Sequence, residues 1–286
     1  MKRKKLIAGV LALQCLMGMP LLAETVQNTT KPVTENKVVT PAVDRENIYQ
    51  VAELNALMLG NYDGFITVDE LLKHGDTGLG TFHTLDGEMI VLDGAVYKAK
   101  SDGSVEKQKG DTLIPFATVT YMDNDLEIKE LKDVKNIEEI KKALDDAIAK
   151  NKENKNLFYM ATIKGDFNMV HVRSVPAQTK PYKPLSEIAA TQPEFTYENV
   201  PGTIVAIRCP DYVQGINLPG WHLHFISEDK SKGGHLLDAS IKVANAQIDY
   251  TNNFSMTLPQ TDDFAKLDLA QNLNQKTQQV EGKVTK

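Results

Sequence analysis

The chain has 286 residues, 42% of them hydrophobic and 24% charged, ordinary proportions for a globular protein with a sizeable core. Its 38 acidic residues outnumber its 32 lysines and arginines, which argues against a nucleic-acid or anionic-membrane partner. With two cysteines, Cys15 and Cys209, there is no disulfide framework to supply stability, and the core must do so.

In chain order, the basic run Lys2-Arg3-Lys4-Lys5 and the mostly apolar stretch Leu6 to Leu22 read as a secretory signal peptide over residues 1–23, cut after Ala23. An uncleaved membrane anchor is the alternative, but the stretch is short for a span and contains Gln14. Cleavage removes four cations and no anions, leaving a formal charge of −10. The expectation is a secreted or cell-envelope protein, free of the membrane once processed. Residues 24–45, rich in Thr, Val, Asn, Lys and Pro, read as a flexible leader.

Order begins near Ile48. Val51, Leu54, Ala56, Leu57 and Leu59 suggest a short helix stopped at Gly60, and Val68 to Leu72 a helical turn with Thr67 as N-cap. Gly75 to Thr81 reads as a glycine-dense loop, without the Lys-Ser/Thr ending of a phosphate loop. Met89 to Ala99 reads as two strands broken at Asp93-Gly94, and Ala117 to Met122 as another. Ile137 to Lys150 is the clearest helix, with apolar residues three and four apart, Asn136 as cap and Glu139 completing a capping box. Leu157 to Ile163 and Phe167 to Val175 read as a hairpin around Lys164-Gly165-Asp166. Thr203 to Ile207, Trp221 to Ile226, His235 to Val243 and Ala246 to Tyr250 are further strands, so the fold class is α+β. Cys209, ending an apolar run, reads as a buried inert thiol.

Three of the six histidines fall within fourteen residues. His222 and His224, one residue apart on a strand, point to the same face. Asp229 to Gly234 reads as a turn that returns the chain, so that His235 stands beside the pair on a neighbouring strand. Three neutral imidazoles that leave a coordination position open suit a catalytic metal, with Zn2+ the first choice and copper, nickel or iron also compatible.

Several stretches together resemble the α-acetolactate decarboxylase family: Leu54 to Gly60, His74-Gly75-Asp76-Thr77-Gly78-Leu79-Gly80-Thr81, Leu85-Asp86-Gly87-Glu88-Met89, Arg173-Ser174-Val175-Pro176, Pro219-Gly220-Trp221-His222-Leu223-His224-Phe225, Gly233-Gly234-His235 and Thr261-Asp262-Asp263-Phe264. The resemblance runs from about Ile48 to the C-terminus. It implies zinc on His222, His224 and His235, active-site roles for Glu88, Arg173 and Glu281, and a substrate pocket touched by Thr81 and Arg173. Without the resemblance, Glu88 reads as part of a solvated turn and Arg173 as a strand arginine. It also implies two tandem domains on mixed β-sheets, taken here as 46–150 and 151–286, the second carrying the zinc site and an active-site tail, and a homodimer.

The reaction implied is decarboxylation of 2-acetolactate to acetoin and CO2. The substrate carries its own electron sink, a ketone beside the carbon that loses CO2, so a Lewis acid on the ketone and hydroxyl oxygens suffices and no pyridoxal or thiamine is needed. Two other readings fit part of the pattern. His222-Leu223-His224 followed by Glu228 resembles the first motif of a cupin metal enzyme, though no histidine follows His235; a non-catalytic extracellular metal-binding protein is the other.

Overall fold

The computed structural model describes residues 43–281, apart from Glu153 and the side chain of Lys152. The expected signal peptide and nearly all of the expected leader lie outside the described residues. Among the described residues the chain forms fourteen strands and six α-helices. The first half runs β1 (Asn47–Val51), α1 (Leu54–Met58), β2 (Ile66–Thr67), α2 (Val68–Leu71), β3 (Thr77–Thr81), β4 (Glu88–Leu92), β5 (Ala95–Ala99), β6 (Val105–Lys107), β7 (Leu113–Ile114), β8 (Phe116–Thr120), β9 (Leu126–Val134) and α3 (Ile137–Lys152). The second runs β10 (Phe158–Arg173), α4 (Leu185–Ala189), β11 (Glu194–Cys209), β12 (Gly220–Ser227), β13 (Gly233–Thr251), β14 (Asn253–Thr257), α5 (Asp262–Ala265) and α6 (Asn274–Glu281). Mixed sheets with few helices make this an α+β protein.

Two sheets carry the architecture. One has seven strands in the order β14-β1-β8-β3-β4-β5-β6, with β14 parallel to β1. The other has five, β10-β11-β12-β13-β9, with β10 also pairing along β13. The strand β12 therefore closes back onto the first residues of β13, bringing His224 opposite His235. Relative to the boundary expected at residue 150, β9 and α3 lie with the five-stranded sheet and β14 lies with the seven-stranded one.

Side-chain alternation explains the layering. Ile48, Leu79 and Ile90 of the first sheet meet Met160, Val205 and Ile207 of the second in one buried cluster. The far face of the second sheet is covered by α3, whose Ile137, Ile140, Leu144 and Ile148 follow the helical period and are buried. Each such side chain contributes about 1.5–3 kcal/mol on leaving water. The Asn136 side chain caps α3, accepting from the Glu139 amide at 3.0 Å, while Glu139 reaches back to accept from the Lys135 amide at 2.9 Å. The expected cap at Thr67 is also present, accepting from the Glu70 amide at 3.2 Å.

Four expectations change. Val51 belongs to β1, and only Leu54–Met58 is helical before Gly60. The glycine-dense stretch is no loop; most of it is β3, paired between β8 and β4. The expected hairpin around Lys164-Gly165-Asp166 is one continuous strand, β10, paired across that point with both β11 and β13. Gly165 serves close approach: a Cβ there would lie 2.2 Å from the Val243 carbonyl oxygen and 2.5 Å from the Ala244 Cα. Likewise His235 to Tyr250 lies within a single strand, β13.

Candidate active site

The site grows from two strand ladders. On the second sheet, Arg173 of β10 is the register partner of His235 on β13, and His235 is the partner of His224 on β12. His222, two residues before His224, projects to the same face. On the first sheet, Thr81 of β3 is the register partner of Glu88 on β4. The end of α6 brings Glu281 in from the tail. All seven expected residues line one small buried cavity, closed by the apolar side chains of Leu85, Phe116, Val175, Leu185 and Val280.

The imidazoles converge. The Nε2 of His222 lies 3.1 Å from the Nε2 of His224 and 3.1 Å from the Nδ1 of His235. Nitrogens held tetrahedrally at about 2.0–2.1 Å from one zinc would be about 3.3 Å apart, so the spacing fits a shared ion. Among the described residues this is the group of His, Cys, Asp or Glu side chains placed to hold a metal. His224 Nδ1 donates to the Met89 carbonyl oxygen at 2.8 Å, which fixes the proton on Nδ1 and leaves the Nε2 lone pair aimed into the cavity. That bond also ties the two sheets together beside Glu88.

Burial keeps these imidazoles neutral, the form that binds metal. It pushes His222 down to about 3, helped by the Arg173 guanidinium, and His224 down to about 3, helped by His222. His235 is lowered by the same burial and by Arg173. Burial acts oppositely on the carboxyls: Glu88 is pushed up to about 8 against the pull of Arg173, and Glu281 is raised. Glu281 Oε2 stands 3.5 Å from His235 Nε2, 3.6 Å from His222 Nε2 and 3.6 Å from Arg173 Nη2, with no hydrogen-bond partner. Glu88 Oε2 stands 3.6 Å from His224 Nε2. Arg173 is buried and its Nε is also unpartnered. The unpartnered Glu281 Oε2 and Arg173 Nε beside three neutral nitrogens fit a site that could hold a cation and an anionic ligand.

Thr81 has a different place. Its hydroxyl donates to the Gly87 carbonyl oxygen at 2.8 Å, pinning the turn that presents Glu88. Cys209 is buried and its thiol is pushed up by burial, far from ionising. The sequence reading missed the apolar wall and Lys141 of α3, which borders His222 and His235 from the other side. The Leu85 and Val175 positions were inside quoted motifs, but nothing in their spacing marked them as cavity walls.

Three neutral imidazoles that could hold a metal ion, two raised carboxyls and an arginine in one small cavity are the makings of an enzyme site with acid–base groups at hand. The comparisons with known proteins sharpen that class. The alpha-acetolactate decarboxylase family profile matches residues 48–271. The chain is 42% identical over 258 residues to the alpha-acetolactate decarboxylase of Methanosarcina mazei, spanning 90% of this chain and 85% of that one. It is 37% identical over 285 residues to that of Brevibacillus brevis, 98% of both chains. The crystal structure of alpha-acetolactate decarboxylase from Bacillus subtilis strain 168 superimposes with a TM-score of 0.78 at 36% identity, covering 83% of this chain and 100% of the other. The protein belongs to the alpha-acetolactate decarboxylase family and is a carboxy-lyase. The cupin and non-catalytic readings are thereby set aside.

Proposed function

We propose that the protein converts 2-acetolactate to acetoin and CO2, and that zinc on His222, His224 and His235 is required. The observation that carries this reading is the convergence of three buried, neutral imidazoles beside two carboxyls and Arg173 in a chain of this family. His222, His224 and His235 would hold the zinc, which would supply a Lewis acid to the substrate's ketone and hydroxyl oxygens while negative charge develops on the ketone oxygen. Arg173 takes the substrate's carboxylate, since its buried guanidinium has a free Nε–H and a planar fork matched to two oxygens. As the bond to the carboxylate breaks, its electron pair moves onto the ketone oxygen and CO2 leaves; one proton must then reach carbon to give acetoin. Burial raises Glu88 while a zinc ion on His224 beside it would lower it, so Glu88 and Glu281 are the two carboxyls placed to hold or hand over that proton. Thr81 holds the Glu88 turn in place, and the Leu85, Phe116 and Val280 wall excludes water. The test is acetoin formation from acetolactate before and after a chelator, with zinc restored. Chelator-insensitive turnover would rule out the metal, and absence of acetoin would rule out the reaction.

The N-terminal basic and apolar stretches support export through a cleaved signal over residues 1–23. N-terminal sequencing of the protein from its native host should begin at Glu24; an intact Met1 would overturn this. The family resemblance supports a homodimer, which light scattering tests directly.

A further inference from the structure

The cavity described above meets apolar walls on one side of the triad. On the other side the triad borders a second space. A small chamber lined by Glu138, Lys141, Leu218 and Trp221 shares His222, His235 and Glu281 with it. A wider, more open cleft of about 490 Å3 shares Glu138, Lys141, Leu218, Trp221 and Glu281 with the chamber and is also lined by Lys142 and Gln278. The chamber and the cleft lie between α3, the start of β12 and the end of α6, and Glu281 lines all three spaces. His222, which lines the chamber, is also the most accessible of the triad: its side chain is 10% exposed, against 1% for His224 and 5% for His235.

Charge along these walls is uneven. Lys141 lines both chamber and cleft, and in the chamber it shares the wall with His222 and His235. Its partner Glu138, 3.1 Å away, is largely in solvent, where its attraction is screened. Lys142 turns outward to Asp146 at 2.7 Å. Asp145 is held against the wall by the Trp221 indole N–H at 2.8 Å and by Arg208 Nε at 3.4 Å. Lys141 is therefore the cation available to an anion moving inward.

We propose that the substrate reaches the triad through this passage between α3 and β12, and that Lys141 is the positioning residue that draws its carboxylate inward past Glu281. The inference rests on the acetolactate reading of the site. A cation on the wall of a narrow, low-dielectric passage raises the local concentration of an anion without taking part in bond breaking. It changes kcat/KM and its salt dependence rather than kcat.

The experiment compares zinc-loaded wild type, Lys141→Gln, Lys141→Arg, Glu138→Gln and Lys129→Gln, a remote charge control on β9, as ionic strength is raised. Lys141→Gln should lower kcat/KM about threefold to tenfold at low salt, with kcat within twofold, and the deficit should close as salt is added. Lys141→Arg should restore it, Glu138→Gln should raise kcat/KM, and Lys129→Gln should match wild type. The rate at which EDTA, itself an anion, strips zinc should follow the same order and does not depend on turnover. Wild-type kcat/KM, salt dependence and EDTA rate in Lys141→Gln, or loss of zinc and melting temperature together in that variant, would overturn the proposal. If wild type makes no acetoin, the reading of the reaction fails, and the EDTA rates alone still decide the passage.

Discussion

Gly234 precedes the metal-facing His235 on β13, and its φ of +150° is one that L side chains rarely adopt. A Cβ built there lies 2.6 Å from the Arg173 carbonyl oxygen and 3.0 Å from the Val172 Cβ. An ordinary C···O contact is about 3.3 Å, so Gly234→Ala must open the seam between β10 and β13 by about 0.7 Å. Arg173 and His235 are register partners across that seam, so the displacement falls on both. Backbone strain adds about 1–3 kcal/mol. Misplacing a reacting group by about 1 Å lowers rates about a hundredfold, so Gly234→Ala should lose about tenfold to a hundredfold in kcat and bind zinc more weakly. Gly94→Ala is the comparison: its φ of +72° is also unfavourable, but nothing lies within 4 Å of a Cβ there. It should lower the melting temperature while keeping zinc and kcat. Zinc content, thermal midpoint and kcat measured on the same preparations separate the cases. Gly234→Ala with one zinc per chain and kcat within twofold of wild type would refute the reasoning.

Arg173→Lys keeps the charge but not the fork; kcat/KM should fall about tenfold to a hundredfold, roughly 1.4–2.7 kcal/mol, with zinc content unchanged. Retention of more than half the wild-type value would remove Arg173 from substrate binding. Glu281→Ala empties the carboxyl common to cavity and passage, and should lower kcat with little change in melting temperature, because it ends an exposed helix; unchanged kinetics would make the tail a bystander. Asp249, far from the triad, is buried with Oδ2 unpartnered, and burial pushes it up to about 8 against a hydrogen bond from the Asp123 backbone, with the Asp125 charge adding to the rise. The folded state therefore keeps a proton that the unfolded chain releases near about 4. The contribution of Asp249 to stability is therefore greatest below about 4 and is lost as pH rises from there through about 8. Asp249→Asn should flatten the fall of melting temperature between those limits, and an unchanged pH profile would contradict this.

The positions of the site were legible because they sit in local patterns. His222 and His224 share a strand face by spacing alone, and Ser227 to Lys232 forms the turn that returns His235 beside them. The helix α3 showed its period and its cap, and the sheet buried what the period marked. Glycine misled the reading at Gly165 because the residue signals either a turn or a close approach, and only the partner strand decides. The return of β14 to pair with β1 joins segments some two hundred residues apart and leaves no local trace. The α6 helix is largely polar, with Thr277 and Val280 buried, so periodicity alone did not bring Glu281 into the cavity. Lys141 looked like any solvated helix lysine until β12 was placed against α3.

A zinc-edge anomalous difference map from crystals of active protein tests the central claim most directly. The account predicts a single peak about 2.0–2.1 Å from one nitrogen of each of His222, His224 and His235, lost on chelation together with acetoin formation. Active crystals without a peak at the triad, or with the metal bound elsewhere, would contradict it.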